Sequence, residues 1–242
     1  EGLLTRLDLE PMLPSECAHL LEAELRGPVS RAAAEDLTRI SGGNPSMLLA
    51  AAADYRESGR VRSGDGVWVL DRGRHSAFPR LAAVMGAKLA GLTDDQRDLL
   101  DLLALAGALP LSQVLERVES RQVDALQESG LLQLEHRTAP ALSLVDPGLG
   151  KVLRGQIDAG RRRDLLEKLP PDPVVSWPAH AAAWLLSAGA KVPAELALAA
   201  GREANAEGEP GAAQEFITAD PNHLSSRAAV LELARAFLAG GN

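Results

Sequence analysis

The chain has 242 residues, of which 46% are hydrophobic and 24% are charged, a balance typical of globular proteins and not of disordered ones. Its formal net charge of −8 disfavours nucleic acid and anionic membranes, and no apolar run is long enough to span a bilayer, so we expect no membrane partner. Cys17 is the only cysteine, which excludes an internal disulfide and agrees with a reducing, cytoplasmic environment.

Helices are the main predicted element, because alanine and leucine abound while aromatic residues make up only 3% of the chain. Residues 1–10 alternate between apolar and polar positions in the manner of a strand. A helix follows through about Leu25, with Ser15 as its N-terminal cap. Ser30 caps a second helix that extends to Ile40. We therefore expect a mainly α fold.

The segment RISGGNPSMLL connects the second helix to a third. Gly42 and Gly43 suit the left-handed backbone that ends a helix. Asn44 then caps the third helix, and Pro45 takes its first position, where the missing N–H costs nothing. The buried face of this helix is predicted to contain Met47, Leu48, Leu49 and Ala50–Ala53. The chain has no Walker A phosphate loop, so this glycine pair does not belong to one.

The middle of the chain predicts a hairpin, several helices and a second hairpin. In VRSGDGVWVL the turn is at residues 64–66. Helical periodicity resumes at Pro79, and Thr93 with Gln96 forms a capping box that opens a helix over 94–106. Short helices at about 111–117 and 119–129 then precede two strands, at 130–134 and 141–145. Three helices followed by a hairpin is the order of a winged helix.

The last part of the chain is predicted to be helical. An arginine-rich helix over about 148–168 leads to PPDPVVSWP, a proline-rich break. The helices expected after the break cover about 178–188, 193–207, 210–217 and 224–239. Short connections between such helices favour antiparallel pairs like those of a helical solenoid.

Charged side chains in two of these helices bear on possible partners. The basic cluster consists of Arg154, Arg161, Arg162 and Arg163. Because Asp158 and Asp164 lie beside it in sequence, we interpret it as a solvated helix face, with binding of an acidic partner domain as the alternative. The helix over 119–129 would be the DNA-reading helix of a winged helix. Its acidic residues, Glu119, Asp124 and Glu128, outnumber Arg121, so it offers little to phosphate groups.

The sequence contains no recognisable catalytic or metal-binding constellation. Its histidines, His19, His75, His136, His180 and His223, lack the spacing of metal ligands. Cys17 and His19 stand two residues apart, so on a helix they do not face each other. Trp177 and Trp184 are interpreted as packing residues, with an aromatic shelf for a ligand as the alternative. We expect no catalytic residue and no metal site in this chain.

Several motifs occur in an order that is known from one protein family. In chain order they are LDLEPM, RISGGNPSMLL, GDGVWVL, LAGLTDDQRDLLDLLALAG, LQESGLLQL and LVDPGLGKVL. This order resembles that of the large ATP-binding regulators of the LuxR type, which are transcription factors of the STAND class of signalling ATPases. The tail that begins with SWPAHAAAWLL is similar to the start of their tetratricopeptide-like sensor region. The resemblance covers nearly the whole chain.

The resemblance implies a helical ATPase lid over 1–78, a winged-helix domain over 79–168 and tetratricopeptide-like repeats over 172–242. In the family, a core with the Walker motifs precedes the lid and a helix-turn-helix ends the protein. This chain shows neither and begins with Glu1, so we expect it to be a piece of a longer protein. The implied partners are that ATPase core, an inducer or protein on the repeats, and DNA through the absent domain only. ATP or ADP is the implied cofactor of the full-length protein, with none expected for this chain alone.

The resemblance also assigns residues to the nucleotide. In the family, a glycine-x-proline at the junction of the lid helices packs against the adenine and ribose, and Gly43, Asn44 and Pro45 match it. Glycine permits close approach, and free N–H groups at a helix start attract polar atoms. The alternative is a tight turn between helices. The family's winged helix often offers a histidine to the phosphates, but Asp146 occupies that position before Pro147. A carboxylate repels phosphate, so we interpret Asp146 as a turn residue.

Three functional hypotheses follow. The first is a regulatory fragment of an ATP-dependent transcriptional regulator, without enzymatic activity of its own. In it the lid and winged helix hold ADP at rest, and an inducer or partner on the repeats shifts the equilibrium to an ATP form. The second is a stand-alone helical protein-interaction scaffold. The third is an autonomous DNA-binding winged helix, which the acidic helix over 119–129 and the net charge of −8 disfavour.

Overall fold

The structure is a computed structural model, and it describes residues 10–71, 78–136, 140–167 and 178–240. These residues are mainly helical, with a small amount of antiparallel sheet, which confirms the mainly α part of the predicted fold. They form two compact units. The first contains the residues up to Met85 together with Asp146–Gly148, and the second contains Gly86–Val145 and the residues from Leu149 onward. In the described part of the chain, no helix is both long enough and apolar enough to cross a membrane.

Three helices begin the described part of the first unit: α1 (Pro14–Leu25), α2 (Arg31–Ser41) and α3 (Pro45–Ser58). Their buried faces carry mostly leucine and alanine, at the helical spacing that the sequence predicts. The strand predicted over 1–10 falls almost entirely outside the described residues.

The caps of these helices agree with the sequence in two cases out of three. Ser30 Oγ accepts the N–H of Ala33 at 3.4 Å, and Asn44 Oδ1 accepts the N–H of Met47 at 3.1 Å. The prediction that Ser15 caps α1 is wrong. The helix already begins at Pro14, so Leu13 is its cap, and the Glu16 carboxylate accepts the N–H of Leu13 at 2.8 Å.

A hairpin follows α3, as predicted, and consists of β1 (Val61–Gly64) and β2 (Val67–Leu70). Its two-residue turn is Asp65-Gly66, and both residues have positive φ, which suits the twist of a tight hairpin. Trp68 fastens the hairpin to the α1–α2 connection: its indole N–H donates to the carbonyl of Leu25 at 2.9 Å, and its backbone N–H donates to that of Pro28 at 2.8 Å.

The continuous part of the first unit ends at Met85, within α4 (Pro79–Leu89). The buried carboxylate of Asp54, on α3, accepts the backbone N–H groups of Arg80 at 3.2 Å and Leu81 at 3.1 Å. A helix start leaves such N–H groups without partners in the helix, so Asp54 caps α4 from a neighbouring helix.

The second unit contains a three-stranded sheet. Its elements in chain order are α5 (Asp94–Ala106), β3 (Ala108–Pro110), α6 (Leu111–Leu115), α7 (Ser120–Glu128), β4 (Leu132–His136) and β5 (Pro140–Leu144). The strand order is β3-β5-β4, with both pairs antiparallel. The capping box at the start of α5 is confirmed, because Thr93 Oγ1 accepts the N–H of Gln96 at 3.3 Å and Gln96 Oε1 accepts that of Thr93 at 3.0 Å.

Two differences from the predicted elements occur in this unit. The sequence does not predict β3, which has only three residues and exists through its pairing with β5. The arginine-rich helix predicted over about 148–168 is instead two helices, α8 (Pro147–Gln156) and α9 (Ala159–Glu167). The break occurs at Asp158, whose carboxylate accepts the N–H of Arg161 at 2.8 Å and so caps a new helix.

The end of the second unit is helical, as predicted, with each helix packed on the next. The elements are α10 (Pro178–Ser187), α11 (Ala194–Ala206), α12 (Pro210–Thr218), a 3-10 turn (Pro221–Ser225) and α13 (Arg227–Gly240). Alanine dominates their shared core, and its small side chain lets helices approach closely. Gly201 marks a close approach of α11 and α12, because a Cβ there would lie 2.7 Å from Cδ1 of Ile217.

Candidate functional site

The predicted site residues Gly43, Asn44 and Pro45 lie at the junction of α2 and α3, which we call the elbow (residues 41–48). Gly42 ends α2 with φ of 56°, and Gly43 follows with φ of 78°. Asn44 caps α3 and Pro45 is its first residue, as the sequence predicts. Gly43 is buried, whereas Asn44 and Pro45 are exposed. The exposed part of the elbow is therefore the capped start of α3.

Gly43 packs against the backbone of its own chain. Its carbonyl oxygen accepts the N–H of Met12 at 3.0 Å. A Cβ at this position would lie 2.8 Å from the carbonyl oxygen of Met12 and 2.9 Å from Cβ of Pro11. The resemblance implies that a nucleotide approaches Gly43 closely. In the structure, Pro11 and Met12 make the close approach to Gly43. A nucleotide at the elbow would contact Asn44 and Pro45.

Asp146 occupies a turn at the start of α8, as predicted. Its Oδ1 accepts the N–H of Gly148 at 2.9 Å. Gly148 in turn lies directly on the end of α2, where a Cβ at position 148 would collide with the carbonyl oxygen of Ile40. The segment Asp146–Gly148 belongs to the first unit. The structure therefore brings the Asp146 segment to the end of α2 that leads into the elbow.

A buried polar cluster joins α2 to α3. The hydroxyl of Tyr55 donates to Oδ2 of Asp36 at 2.7 Å, and Arg39 forms an ion pair with the same carboxylate. The guanidinium of Arg60 lies 3.9 Å from Asp36 and 5.1 Å from the centre of the Tyr55 ring. Burial, followed by the charge of Asp36, raises the pKa of Tyr55 well above its ordinary value. Tyr55 is therefore a neutral donor that fixes two helices.

The arginine cluster of the second unit does not form the solvated face that the sequence predicts. Arg154 donates to the carbonyl oxygen of Ala104 at 2.6 Å. Arg162 donates to those of Ile157 at 3.1 Å and Arg154 at 2.7 Å. Arg163 is the exposed member and makes one longer bond of 3.4 Å. Arginine suits such positions because its five N–H donors can reach several carbonyl groups at once.

The remaining arginine of the cluster, Arg161, pairs with acidic residues of α5. It forms an ion pair with Asp98, and its guanidinium lies 3.8 Å from Asp101. Asp101 is buried, and burial raises the pKa of its carboxyl group, an effect that the nearby charges of Arg97 and Arg161 oppose. These pairs fasten α9 to α5.

A cleft in the second unit, which sequence reasoning missed, brings basic and apolar side chains together. The cleft has a volume of about 210 Å³ and lies between α5, α8, α9 and α10. Trp184, at its wall, is buried and donates its indole N–H to the carbonyl of Arg162 at 2.9 Å, in line with its predicted packing role. Trp177, its predicted companion, lies outside the described residues. No spacing in the sequence indicates the cleft, because four helices contribute to it.

In the described ranges, no group of three or more histidine, cysteine, aspartate or glutamate residues is arranged to hold a metal ion. His223 is buried, with Nε2 3.1 Å from the carbonyl oxygen of Val192, so it has a packing role in the 3-10 turn. His75 lies outside the described residues.

The helix that would read DNA in a winged helix is acidic in the structure as well. In α7 and its cap, Arg121 pairs with Glu119 at 2.5 Å, while Asp124 and Glu128 are exposed. A surface of this charge offers few contacts to a phosphate backbone.

Comparison with known proteins supplies no relative: no protein-family model, no curated protein and no solved structure matches this chain.

Proposed function

We propose that this chain is the regulatory part of an ATP-dependent transcriptional regulator of the kind that its motif order resembles. Its lid (1–78) and winged helix (79–168) govern the nucleotide state of an ATP-binding core in the same polypeptide. Its helical repeats (172–242) bind an inducer or a partner protein, and DNA is bound by a separate domain. The chain itself catalyses nothing, ATP or ADP belongs to the core, and the protein acts in the cytoplasm.

The observation that carries the proposal is the contact between Gly148 and Ile40. In the family that the motif order resembles, the elbow and the position equivalent to Asp146 both lie at the nucleotide, although they are far apart in sequence. The backbone of Gly148, two residues after Asp146, lies on the carbonyl oxygen of Ile40, shortly before the elbow. Two positions with a shared ligand must lie close together, and this contact supports that expectation.

Two features of the second unit also support the proposal. The order α5-β3-α6-α7-β4-β5, with three helices and a three-stranded antiparallel sheet, is the kind of arrangement that the proposed winged helix requires. The acidic α7 favours a winged helix that contacts protein and not DNA. From α10 to α13, consecutive helices pack on one another through small residues, as helical repeats do.

The proposal can be tested by the rate of ADP release from the polypeptide that contains the core, measured with a fluorescent ADP analogue. Pro45→Ala is expected to speed release, because Pro45 is exposed at the nucleotide-facing start of α3. Pro210→Ala is the matched control, since Pro210 also opens a helix, α12, and should leave release unchanged.

A second substitution tests position 146 in the same assay. Asp146→Asn can keep the oxygen that accepts the N–H of Gly148, while it replaces the other carboxylate oxygen by an uncharged NH2 group. If Asp146 faces the phosphates, this variant releases ADP more slowly, because a repulsion is lost. Release rates that equal the wild type in both Pro45→Ala and Asp146→Asn would overturn the proposal.

The second candidate function, a helical protein-interaction scaffold, is favoured by one observation. The last helix, α13, exposes an apolar face that contains Val230, Leu231, Phe237 and Leu238. Exposed apolar patches of this kind mark interaction surfaces. A scaffold has no use for the elbow beyond a turn, so the ADP-release assay also separates the two functions.

A further inference from the structure

The cleft of the second unit combines basic and apolar side chains in a small volume. Its volume is about 210 Å³, and the residues that line it include Leu105, Arg154, Arg162, His180, Trp184 and Ser187. All of them belong to the second unit. They come from α5, α8, α9 and α10, so the cleft is a property of the packed helices and not of one helix end.

The polar side of the cleft is basic. It carries two guanidinium groups and an imidazole, and none of its described lining residues is an aspartate or glutamate. Arg162 donates Nε–H and Nη2–H to the carbonyl oxygens of Ile157 and Arg154, at 3.1 and 2.7 Å. Carbonyl oxygens are uncharged, so these bonds hold the guanidinium in place without neutralising its charge. A fixed guanidinium is well suited to carboxylate and phosphate groups.

The apolar side of the cleft consists of Leu105, Ala183 and the ring of Trp184. The indole N–H of Trp184 already donates to the carbonyl of Arg162 at 2.9 Å. The ring therefore offers the cleft carbon atoms and no free donor. A ligand that fits both sides has one anionic group and one apolar group.

We propose that this cleft binds a small organic anion, with its carboxylate or phosphate on the guanidinium groups of Arg154 and Arg162. The apolar part of the ligand lies against Leu105 and Trp184. This inference does not rest on the proposed function, because binding to the cleft can be measured whatever the chain regulates. Free organic phosphates and carboxylates share the chemistry that the cleft recognises.

Calorimetric titration of the whole chain with phenyl phosphate tests the inference. We expect a dissociation constant below about 1 mM, with weaker binding of inorganic phosphate, which lacks the ring, and of phenol, which lacks the charge. Absence of binding by phenyl phosphate would overturn the inference. Equal affinity for phenyl phosphate and phenol would show that the cleft does not recognise the negative charge. Equal affinity for phenyl phosphate and inorganic phosphate would show that it does not recognise the apolar group.

The location of the ligand is tested by a charge added at the rim. Ala183 is exposed in the interior of α10 and lines the cleft, so Ala183→Glu adds a negative charge without removing a contact. Ala125→Glu, at an exposed position of α7 outside the cleft, is the matched control. We expect Ala183→Glu to lower the affinity for phenyl phosphate about tenfold or more. Ala125→Glu should leave this affinity unchanged. An equal effect of the two variants would contradict a site in this cleft.

Trp184 provides a second, independent readout. The chain has three tryptophans, so its indole N–H resonances can be assigned by comparing the wild type with Trp68→Phe and Trp177→Phe. The Trp184 resonance is expected to shift on titration of phenyl phosphate, with the Trp68 resonance unmoved. A titration that binds phenyl phosphate and leaves the Trp184 resonance in place would show that the ligand lies elsewhere.

Discussion

The hydroxyl of Tyr55 donates a 2.7 Å hydrogen bond to the carboxylate of Asp36, and both side chains are buried. This bond joins α3 to α2, the two helices that meet at the elbow. Arg39 and Arg60 supply positive charge to the same carboxylate. A buried carboxylate needs such partners, since its charge is costly to remove from water. The Tyr55–Asp36 pair therefore helps to fix the geometry of the elbow.

Replacement of Tyr55 by phenylalanine removes one hydrogen bond and keeps the ring. We expect Tyr55→Phe to lower the free energy of unfolding by about 1–3 kcal/mol, because Asp36 loses a donor in a buried setting. Urea denaturation measures the change. Ser58→Ala removes a hydroxyl from the same helix. That hydroxyl donates to the backbone carbonyl oxygens of Asp54 and Tyr55 in its own turn, so its loss should cost less than about 1 kcal/mol. Equal losses of unfolding free energy in the two variants would show that the Tyr55–Asp36 hydrogen bond contributes no more to stability than the Ser58 hydroxyl does.

The stability of the protein at high pH is expected to depend on the same residue. The pKa of Tyr55 is raised in the folded state, while in the unfolded chain it is near its ordinary value of about 10. Above that value the unfolded chain releases a proton that the folded protein retains. The contribution of Tyr55 to the free energy of unfolding is therefore fully present below about pH 10, and it decreases as the pH rises further.

Ultraviolet absorbance of the phenolate measures this directly, because Tyr55 is the only tyrosine of the chain. The folded protein is expected to show no phenolate band at the pH where free tyrosine is half ionised, and the band should appear together with unfolding. A phenolate band at an ordinary pKa in the folded protein would contradict the buried cluster. Tyr55→Phe, which has no tyrosine, provides the baseline.

The two glycines of the elbow are predicted to differ in their tolerance of alanine. Gly42 and Gly43 both have positive φ, but a Cβ at Gly42 has open space whereas one at Gly43 meets Met12 at 2.8 Å. Gly42→Ala should cost about 1 kcal/mol for the backbone conformation alone. Gly43→Ala should cost about 2–4 kcal/mol, because the overlap is added. Thermal denaturation of the two variants compares them, and similar losses would refute the close contact with Met12.

Two neighbouring arginines offer a similar comparison in the second unit. Arg162 makes two hydrogen bonds to carbonyl groups, whereas the exposed Arg163 makes one of 3.4 Å. We expect Arg162→Ala to lower the free energy of unfolding by about 2 kcal/mol and Arg163→Ala by less than about 0.5 kcal/mol. Urea denaturation of the two variants measures these losses. If the cluster were a solvated helix face, both losses would be small.

Features that depend on neighbours in sequence could be predicted. The caps Ser30, Asn44 and Thr93 each bond an N–H three residues away, so the cue and its partner lie in one short segment. The prediction failed where a competing local cue was stronger. Pro14 begins α1 ahead of Ser15, and Asp158 starts a new helix within the arginine-rich segment.

Features that depend on distant residues could not be predicted. The need for glycine at position 43 is set by Met12, and the bond of Asp36 by Tyr55 on another helix. The strand β3 exists because β5 offers it an edge. The cleft, likewise, has no sequence pattern, since its basic residues and Trp184 meet only when the helices pack.

The reading frame on either side of this chain tests the regulator proposal most directly. If the chain is the lid, winged helix and first repeats of such a regulator, the frame encodes a Walker A motif upstream of Glu1 and a helix-turn-helix downstream of Asn242. Stop codons close to both ends would contradict the proposal. The protein would then be a self-contained helical binding protein, and the elbow would be a turn between two helices.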